Sequence, residues 1–326
     1  MPDAAAYAEG ILRGDRILLS RAITLIESTR PEHQSLAQEV LEICLPHTGR
    51  SIRIGVTGSP GVGKSTFIET FGTWLTTEQS HKVAVLAIDP TSQVSKGSIL
   101  GDKTRMERLA ANPRAFIRPS PAGDSLGGVA SRTREALLLC EAAGYDVILI
   151  ETVGVGQSEV AVHSMVDFLL LLLLPGAGDE LQGIKRGIVE MADLIAINKA
   201  DGDRQDLAEL ARKEYSRALH LLPPKASGWS PKALTCSSLT GDGIQAIWQQ
   251  VSDFTALTRQ NGWLETHRRQ QSKNWLFDLV KQRLEQLFST HPAVRANLQR
   301  IEKEVIEGKI SVSKGADALL RFFESH

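Results

Sequence analysis

Cysteine, net charge and long apolar runs are all scarce in this chain, and each scarcity excludes something. Cys44, Cys140 and Cys236 are odd in number and widely scattered. They suggest neither a disulfide framework nor a zinc cage and fit reduced thiols in or near a core. A formal net charge of −1 gives no electrostatic case for nucleic acid or a membrane as the main partner. The longest apolar run, residues 168–174, falls far short of the about 20 residues needed to span a bilayer. It reads instead as a strand buried on both faces of a parallel sheet. Met1-Pro2-Asp3-Ala4 lacks a basic segment followed by an apolar one, so no signal peptide is evident and a cytoplasmic enzyme is expected. Internal repeats and low-complexity tracts are missing too.

What is present suits a large α/β enzyme. At 326 residues with 42% hydrophobic content, the chain has room for one large domain with appended helices, or for two domains. Residues 1–48 read as an amphipathic helical extension, with Asp15 a candidate cap. Strand signals at 52–57, 83–88, 115–118, 147–150, 168–174, 194–197 and 233–236 then alternate with helical runs, clearest at 129–143 before Gly144. That alternation predicts a doubly wound, mainly parallel sheet over 49–258. From about residue 257 strand signals stop. Trp275, Leu276, Leu279, Val280, Leu284, Leu287 and Phe288 make a helical stripe, broken by Pro292 and followed by helical runs at 294–306 and 316–323. Such a stripe must be buried somewhere. Two readings stand for 259–326: packing on the outer layer of the sheet, or a dimerisation arm.

Chemistry concentrates first at Gly58-Ser59-Pro60-Gly61-Val62-Gly63-Lys64-Ser65-Thr66, which matches G-x-x-x-x-G-K-[ST] between a strand signal and a helix signal. In that context the glycines let backbone N–H groups turn around a phosphate, and the helix start adds its positive end. Lys64, expected to face solvent in an empty cleft, is placed to reach the β- and γ-phosphates, and Ser65 to complete the coordination of Mg²⁺. The alternative is a plain glycine-rich turn.

Asn198-Lys199-Ala200-Asp201 follows the apolar segment 194–197, at the end of another strand. This pattern suits guanine. The Asp201 carboxylate offers acceptors to the ring N1–H and the exocyclic amine, and adenine has neither donor there. A site built on such pairing leaves a buried acceptor unpaired with the wrong base, a penalty that reaches about 10⁴ in discrimination. Asn198 is suited to bracing the loop and the Lys199 stem to lying along the base. Ser237, Ser238 and Leu239 lie where a backbone N–H could meet the guanine carbonyl, although that segment reads equally well as a capped turn.

Phosphoryl chemistry also needs carboxylates for Mg²⁺ and a way to place water. Asp89 and Glu151 each end a strand signal, and ligands of open α/β sheets bind beyond the carboxyl ends of strands. Asp102 sits in the polar segment 96–105. Each of the three also has a bland reading as a turn or capping carboxylate.

The ordered set of motifs resembles one family. It comprises the glycine-rich loop, Asp89-Pro90-Thr91-Ser92, Gly101-Asp102-Lys103-Thr104-Arg105-Met106, Glu151-Thr152-Val153-Gly154-Val155-Gly156-Gln157-Ser158-Glu159, the loop 176–185 and Asn198-Lys199-Ala200-Asp201. Together they resemble the MeaB/ArgK family of P-loop GTPases, over essentially the whole chain. The resemblance implies a SIMIBI-class P-loop core with helical extensions, binding GTP or GDP with Mg²⁺. It implies catalytic roles for Lys64, Asp102 and Glu151, and metal roles, direct or through water, for Ser65, Asp89, Asp102 and Glu151. It further implies a homodimer joined through the C-terminal helices. The implied function is a GTPase chaperone for adenosylcobalamin-dependent methylmalonyl-CoA mutase, with the loop 176–185 relaying nucleotide state. Gln157 lies three positions beyond Gly154, unlike the water-orienting glutamine of Ras-like GTPases, so intrinsic turnover is expected to be slow. Three other functions compete: a nucleotide-dependent kinase or ATPase linked to basic-amino-acid transport, a nucleotide-sensing scaffold with no useful hydrolysis, and a metal-insertion GTPase. The last usually carries a Cys- or His-rich tract, whereas the eight histidines here are dispersed from His33 to His326.

Overall fold

The computed structural model describes residues 2–88, 106–119, 126–152, 158–176 and 186–324. Within residues 1–271, the first of two units, the sheet is formed by β1 (Ile52–Gly58), β2 (Val83–Ile88), β3 (Ala115–Arg118), β4 (Val147–Thr152), β5 (Phe168–Leu173), β6 (Leu194–Ile197) and β7 (Lys232–Thr235). Their order is β3-β2-β4-β1-β5-β6-β7, and every pairing is parallel. Strand residues alternate between two apolar layers, as a sheet covered on both faces requires. Ile148, Ile150 and Leu169 face one layer, whereas Val147, Leu149, Phe168, Leu170 and Leu172 face the other.

The first layer is made by α1 (Ala4–Leu12), α2 (Arg16–Glu27), α3 (Pro31–Cys44), α6 (Leu126–Ala142) and α7 (Ser158–His163). The N-terminal extension is therefore part of the core. Its helices start where the sequence supplies caps: Asp3 accepts from the N–H of Ala6, Asp15 from those of Ile17 and Leu18, and Pro31 opens α3. The second layer holds α4 (Lys64–Thr77) and α10 (Ile244–Gln260), with α5 (Glu107–Ala111) beside α4. α9 (Gln205–His220) covers β5 to β7 through Ala208, Ala211, Tyr215 and Leu219, with Ile188 and Val189 of α8 (Arg186–Met191) packed against the same cluster.

The second unit, 272–326, takes over α11 (Trp263–Thr290) partway and adds α12 (Pro292–Ile306) and α13 (Val312–Glu324). Pro292 occupies the first turn of α12, the position where a missing N–H costs nothing. α12 and α13 bury Val294 and Ile301, and Gly315 sits so close to Val305 that a Cβ there would lie 2.7 Å from its methyl. The ring of Phe323 meets Phe288 and His291 edge-on.

Strand positions follow the sequence reading closely, with shifts of one or two residues at the ends. One shift matters: β4 runs on to Thr152, so Glu151 lies inside the strand, paired in register with Val56 of β1 and Ala87 of β2.

Candidate functional site

β1 ends at Gly58 with φ +153, against the backbone of β5: a Cβ would lie 2.4 Å from the Leu172 carbonyl oxygen. Only glycine fits there. The loop closes at Gly63, φ +95, where a Cβ would come 3.0 Å from the Asn198 amide nitrogen. Between them Ser59, Pro60, Gly61 and Val62 form the turn, and Lys64, Ser65 and Thr66 open α4.

The sequence suggests a solvent-facing Lys64; the structure corrects this. Lys64 is buried, and its Nζ donates to the carbonyl oxygens of Gly58, at 2.8 Å, and Ser59, at 3.2 Å. Burial pushes its pKa down, while Glu151 and Glu159 pull it back up. The ammonium thus rests on the loop's own carbonyls, with β4's carboxylate nearby. Ser65 Oγ donates to Glu151 Oε1 at 2.7 Å. Glu151 is buried, and next to it Thr152 Oγ1 bonds Thr57 Oγ1 at 3.1 Å. A hydroxyl and a carboxylate this close are hard oxygen donors, the chemistry that Mg²⁺ prefers. Asp89 and Asp102, the other two acidic candidates, lie outside the described residues, as do Gln157 and most of the loop 176–185.

The second cluster sits beyond β6 and β7. Asn198 is buried and works in two directions. Its Nδ2 donates to the Val62 carbonyl at 2.8 Å, and its Oδ1 accepts from Ser238 N at 3.0 Å and Ser238 Oγ at 2.8 Å. One side chain therefore ties the glycine-rich loop to the segment after β7. Lys199, at φ +59, reaches back so that Nζ donates to the Gly61 carbonyl at 2.8 Å. Asp201 Oδ1 accepts from Ser237 Oγ at 2.8 Å, and the same hydroxyl accepts from the N–H groups of Leu239 and Thr240 at 3.3 and 3.2 Å. Ser237 N and Ser238 N are already committed, to the Asp242 carbonyl and to Asn198. Leu239 N, held by one long bond, is thus the donor best able to turn to a ligand.

Asn198, Lys199, Asp201, Ser238 and Leu239 border a cavity of about 370 Å³, with Thr66, Asp203 and Arg204 among its walls. Three contributors escape the sequence reading. Asp203 and Arg204 stand on the 3₁₀ turn Gly202–Arg204 directly after Asp201, so proximity in sequence is a usable signal. Thr70 Oγ1 donates to the Ser238 carbonyl at 2.6 Å from the second turn of α4. No motif marks it. Among the described residues no cluster of three or more His, Cys, Asp or Glu side chains is arranged to hold a metal, and no helix is long and apolar enough to cross a membrane.

Residues 19–293 match the family model described as methylmalonyl Co-A mutase-associated GTPase MeaB. A putative GTPase of Caulobacter vibrioides is 53% identical over 98% of this chain and 98% of its own length. The mitochondrial methylmalonic aciduria type A homolog of Mus musculus is 47% identical over 97% of this chain and 78% of its own. A solved structure described as LAO/AO transport system kinase superposes with a TM-score of 0.78 at 39% identity, covering 98% of this chain and 97% of that one. With a glycine-rich loop and a guanine-type base motif facing one cleft, the family model matched over 19–293 and relatives at 47–53% identity, this chain belongs to the MeaB family of P-loop GTPases and is a nucleotide hydrolase.

Proposed function

We propose that the protein binds GTP with Mg²⁺, hydrolyses it slowly to GDP and phosphate, and acts as a homodimeric chaperone for an adenosylcobalamin-dependent methylmalonyl-CoA mutase in the cytoplasm. One observation carries the nucleotide assignment: Asn198 bridges Val62 of the phosphate loop to Ser238, beside a cavity walled by Asp201. Base and phosphates are thereby read by one connected unit. The Asp201 carboxylate accepts from guanine, and the N–H of Leu239 turns to its carbonyl oxygen. Lys64 exchanges the Gly58 and Ser59 carbonyls for phosphate oxygens. Ser65 and Glu151 hold the metal, with Asp89 and Asp102 as further candidates, and the bound Mg²⁺ supplies charge neutralisation across the β- and γ-phosphates. Titration calorimetry with GTP and ATP tests this part. Magnesium-dependent uptake of GTP with at least about a hundredfold preference over ATP is expected, and equal uptake of both removes the assignment.

The mutase role rests on the family and on the mouse relative's name. Single-turnover hydrolysis, with and without a methylmalonyl-CoA mutase, tests it. A faster rate with the mutase is expected, and identical rates despite demonstrated binding would count against the chaperone reading. The dimer rests on an apolar stripe along α11, where Leu276 is 59% and Leu287 57% exposed, with Phe277, Val280 and Leu284 also open to solvent. Light scattering on dilution should report a dimer at micromolar concentration, and a monomer there removes the arm. The cytoplasmic location is supported by three free, buried cysteines. The name of the solved relative, a transport system kinase, favours a second reading. Incubation with γ-labelled GTP and ATP separates the two, because hydrolysis releases labelled phosphate and a kinase leaves it on a protein.

A further inference from the structure

We infer that a cleft at the opposite end of the sheet binds a small polyphosphate anion, separately from the nucleotide site. The cleft encloses about 560 Å³ and is bordered by Gly49, Arg50, Arg259, Leu264, Glu265, Arg268 and Arg269, all within the first unit. Gly49 and Arg50 lie just before β1, whereas the phosphate loop leaves β1 at its far end. Seven strand residues at roughly 3.3 Å each put the two sites roughly 20 Å apart. The volume is in the range of small-molecule sites.

Its floor is built and its rim is unsatisfied. Arg268 makes a fork to Asp167, Nε to Oδ1 at 2.8 Å and Nη2 to Oδ2 at 2.6 Å, and donates to the carbonyls of Gly49 and Ser51. Asp167 in turn accepts from the backbone N–H of Arg53 at 2.8 Å. This network fixes the strand-entry loop and cancels the charge of Arg268. Glu265, the one carboxylate bordering the cleft among the described residues, also acts on Arg268. Arg50, Arg259 and Arg269 are exposed, and none of them is ion-paired to a carboxylate among the described residues. The nearest fixed contact among them is a 3.4 Å bond from Arg259 Nη2 to the Arg50 carbonyl oxygen, which holds two of the three together.

Three guanidiniums gathered on one concave surface repel one another, and an anion relieves that repulsion. Guanidinium forks match phosphate oxygens in pairs, with more geometric demand than an ammonium makes. Among the described residues Leu264 is the one apolar side chain bordering the cleft, and it is buried, so no apolar wall here packs against a base or grips an acyl chain. Recognition therefore falls on a diphosphate or longer chain, either inorganic or as part of a nucleoside ester.

Calorimetric titration of inorganic tripolyphosphate into the magnesium-free full-length chain at 0.15 M salt tests the inference. Two binding events are expected, one at the phosphate loop and one at the cleft. In the Arg50→Ala/Arg259→Ala/Arg269→Ala variant the second event should weaken at least about tenfold while the first persists. Lys64→Ala should show the reverse, and if that variant fails to fold, the wild-type and triple-variant titrations decide alone. A parallel titration with ADP distinguishes the sources: binding at the cleft extends the site to nucleoside diphosphates, and its absence there confines it to inorganic chains. Equal stoichiometry and affinity in wild type and triple variant overturn the inference. So does a cleft event seen only at low salt, or one produced by an acidic peptide but not by tripolyphosphate.

Discussion

The two ends of the nucleotide cleft are held in different ways. At the base end the polar groups are fixed by bonds between separate elements. Asn198 joins the phosphate loop to the segment after β7, Ser237 secures Asp201, and Thr70 secures the Ser238 carbonyl. At the phosphate end the same kinds of groups rest on local substitutes, Lys64 on the loop's own carbonyls and Ser65 on Glu151. On the proposed assignment, base recognition is preorganised, whereas phosphate binding requires an exchange of partners. That reading assigns selectivity to the rigid end and the response to nucleotide state to the end that must re-pair.

The contrast can be broken most strongly at Lys64. Lys64→Ala removes two charge-assisted bonds to phosphate, so triphosphate affinity should fall by about 10²–10⁴-fold in a fluorescent-nucleotide titration. Thermal melting should show a folded protein, because the side chain's partners are two carbonyls of the loop itself rather than groups of the apolar core. Asp201→Asn comes next. Guanine would then face a donor in place of an acceptor, costing about a hundredfold or more in GTP affinity, with xanthosine triphosphate gaining. Retained guanine preference would show that the base is read elsewhere.

Asn198→Ala sharpens the comparison, since it strips buried partners from Val62 and Ser238 at once. Each buried group left unpaired costs about 1–3 kcal/mol, so the melting temperature should drop and GTP and GDP should weaken alike. A loss confined to GTP would mean that Asn198 belongs to the phosphate end. The smallest effect is expected from Thr70→Val, which deletes one bond to the Ser238 carbonyl. A loss of about 0.5–1.5 kcal/mol corresponds to roughly two- to tenfold in GDP affinity, readable by calorimetry.

Much of this was legible in the sequence because it depends on neighbours along the chain. The continuous apolar runs at 147–150 and 168–173 encode a sheet covered on both faces, and Asp15 and Pro292 mark helix starts in a way local geometry respects. Gly58 and Gly63 announce a loop whose backbone only glycine tolerates. Less legible was the burial of Lys64, because a lysine's surroundings depend on which carbonyls the folded loop turns toward it. Thr70 was silent for a similar reason: its partner is 168 residues away in sequence.

The chain's order of residues determined the parallel sheet, the phosphate loop and the base motif, since strand alternation, glycine backbone freedom and side-chain chemistry are properties of short segments. Tertiary structure alone decided that Asn198 would couple loop to base pocket, that Glu151 would stand 2.7 Å from Ser65, and that Arg50, Arg259 and Arg269 would share one cleft. Those relations join segments far apart in the chain. Only packing helices against both faces of the sheet brings such segments within hydrogen-bonding distance.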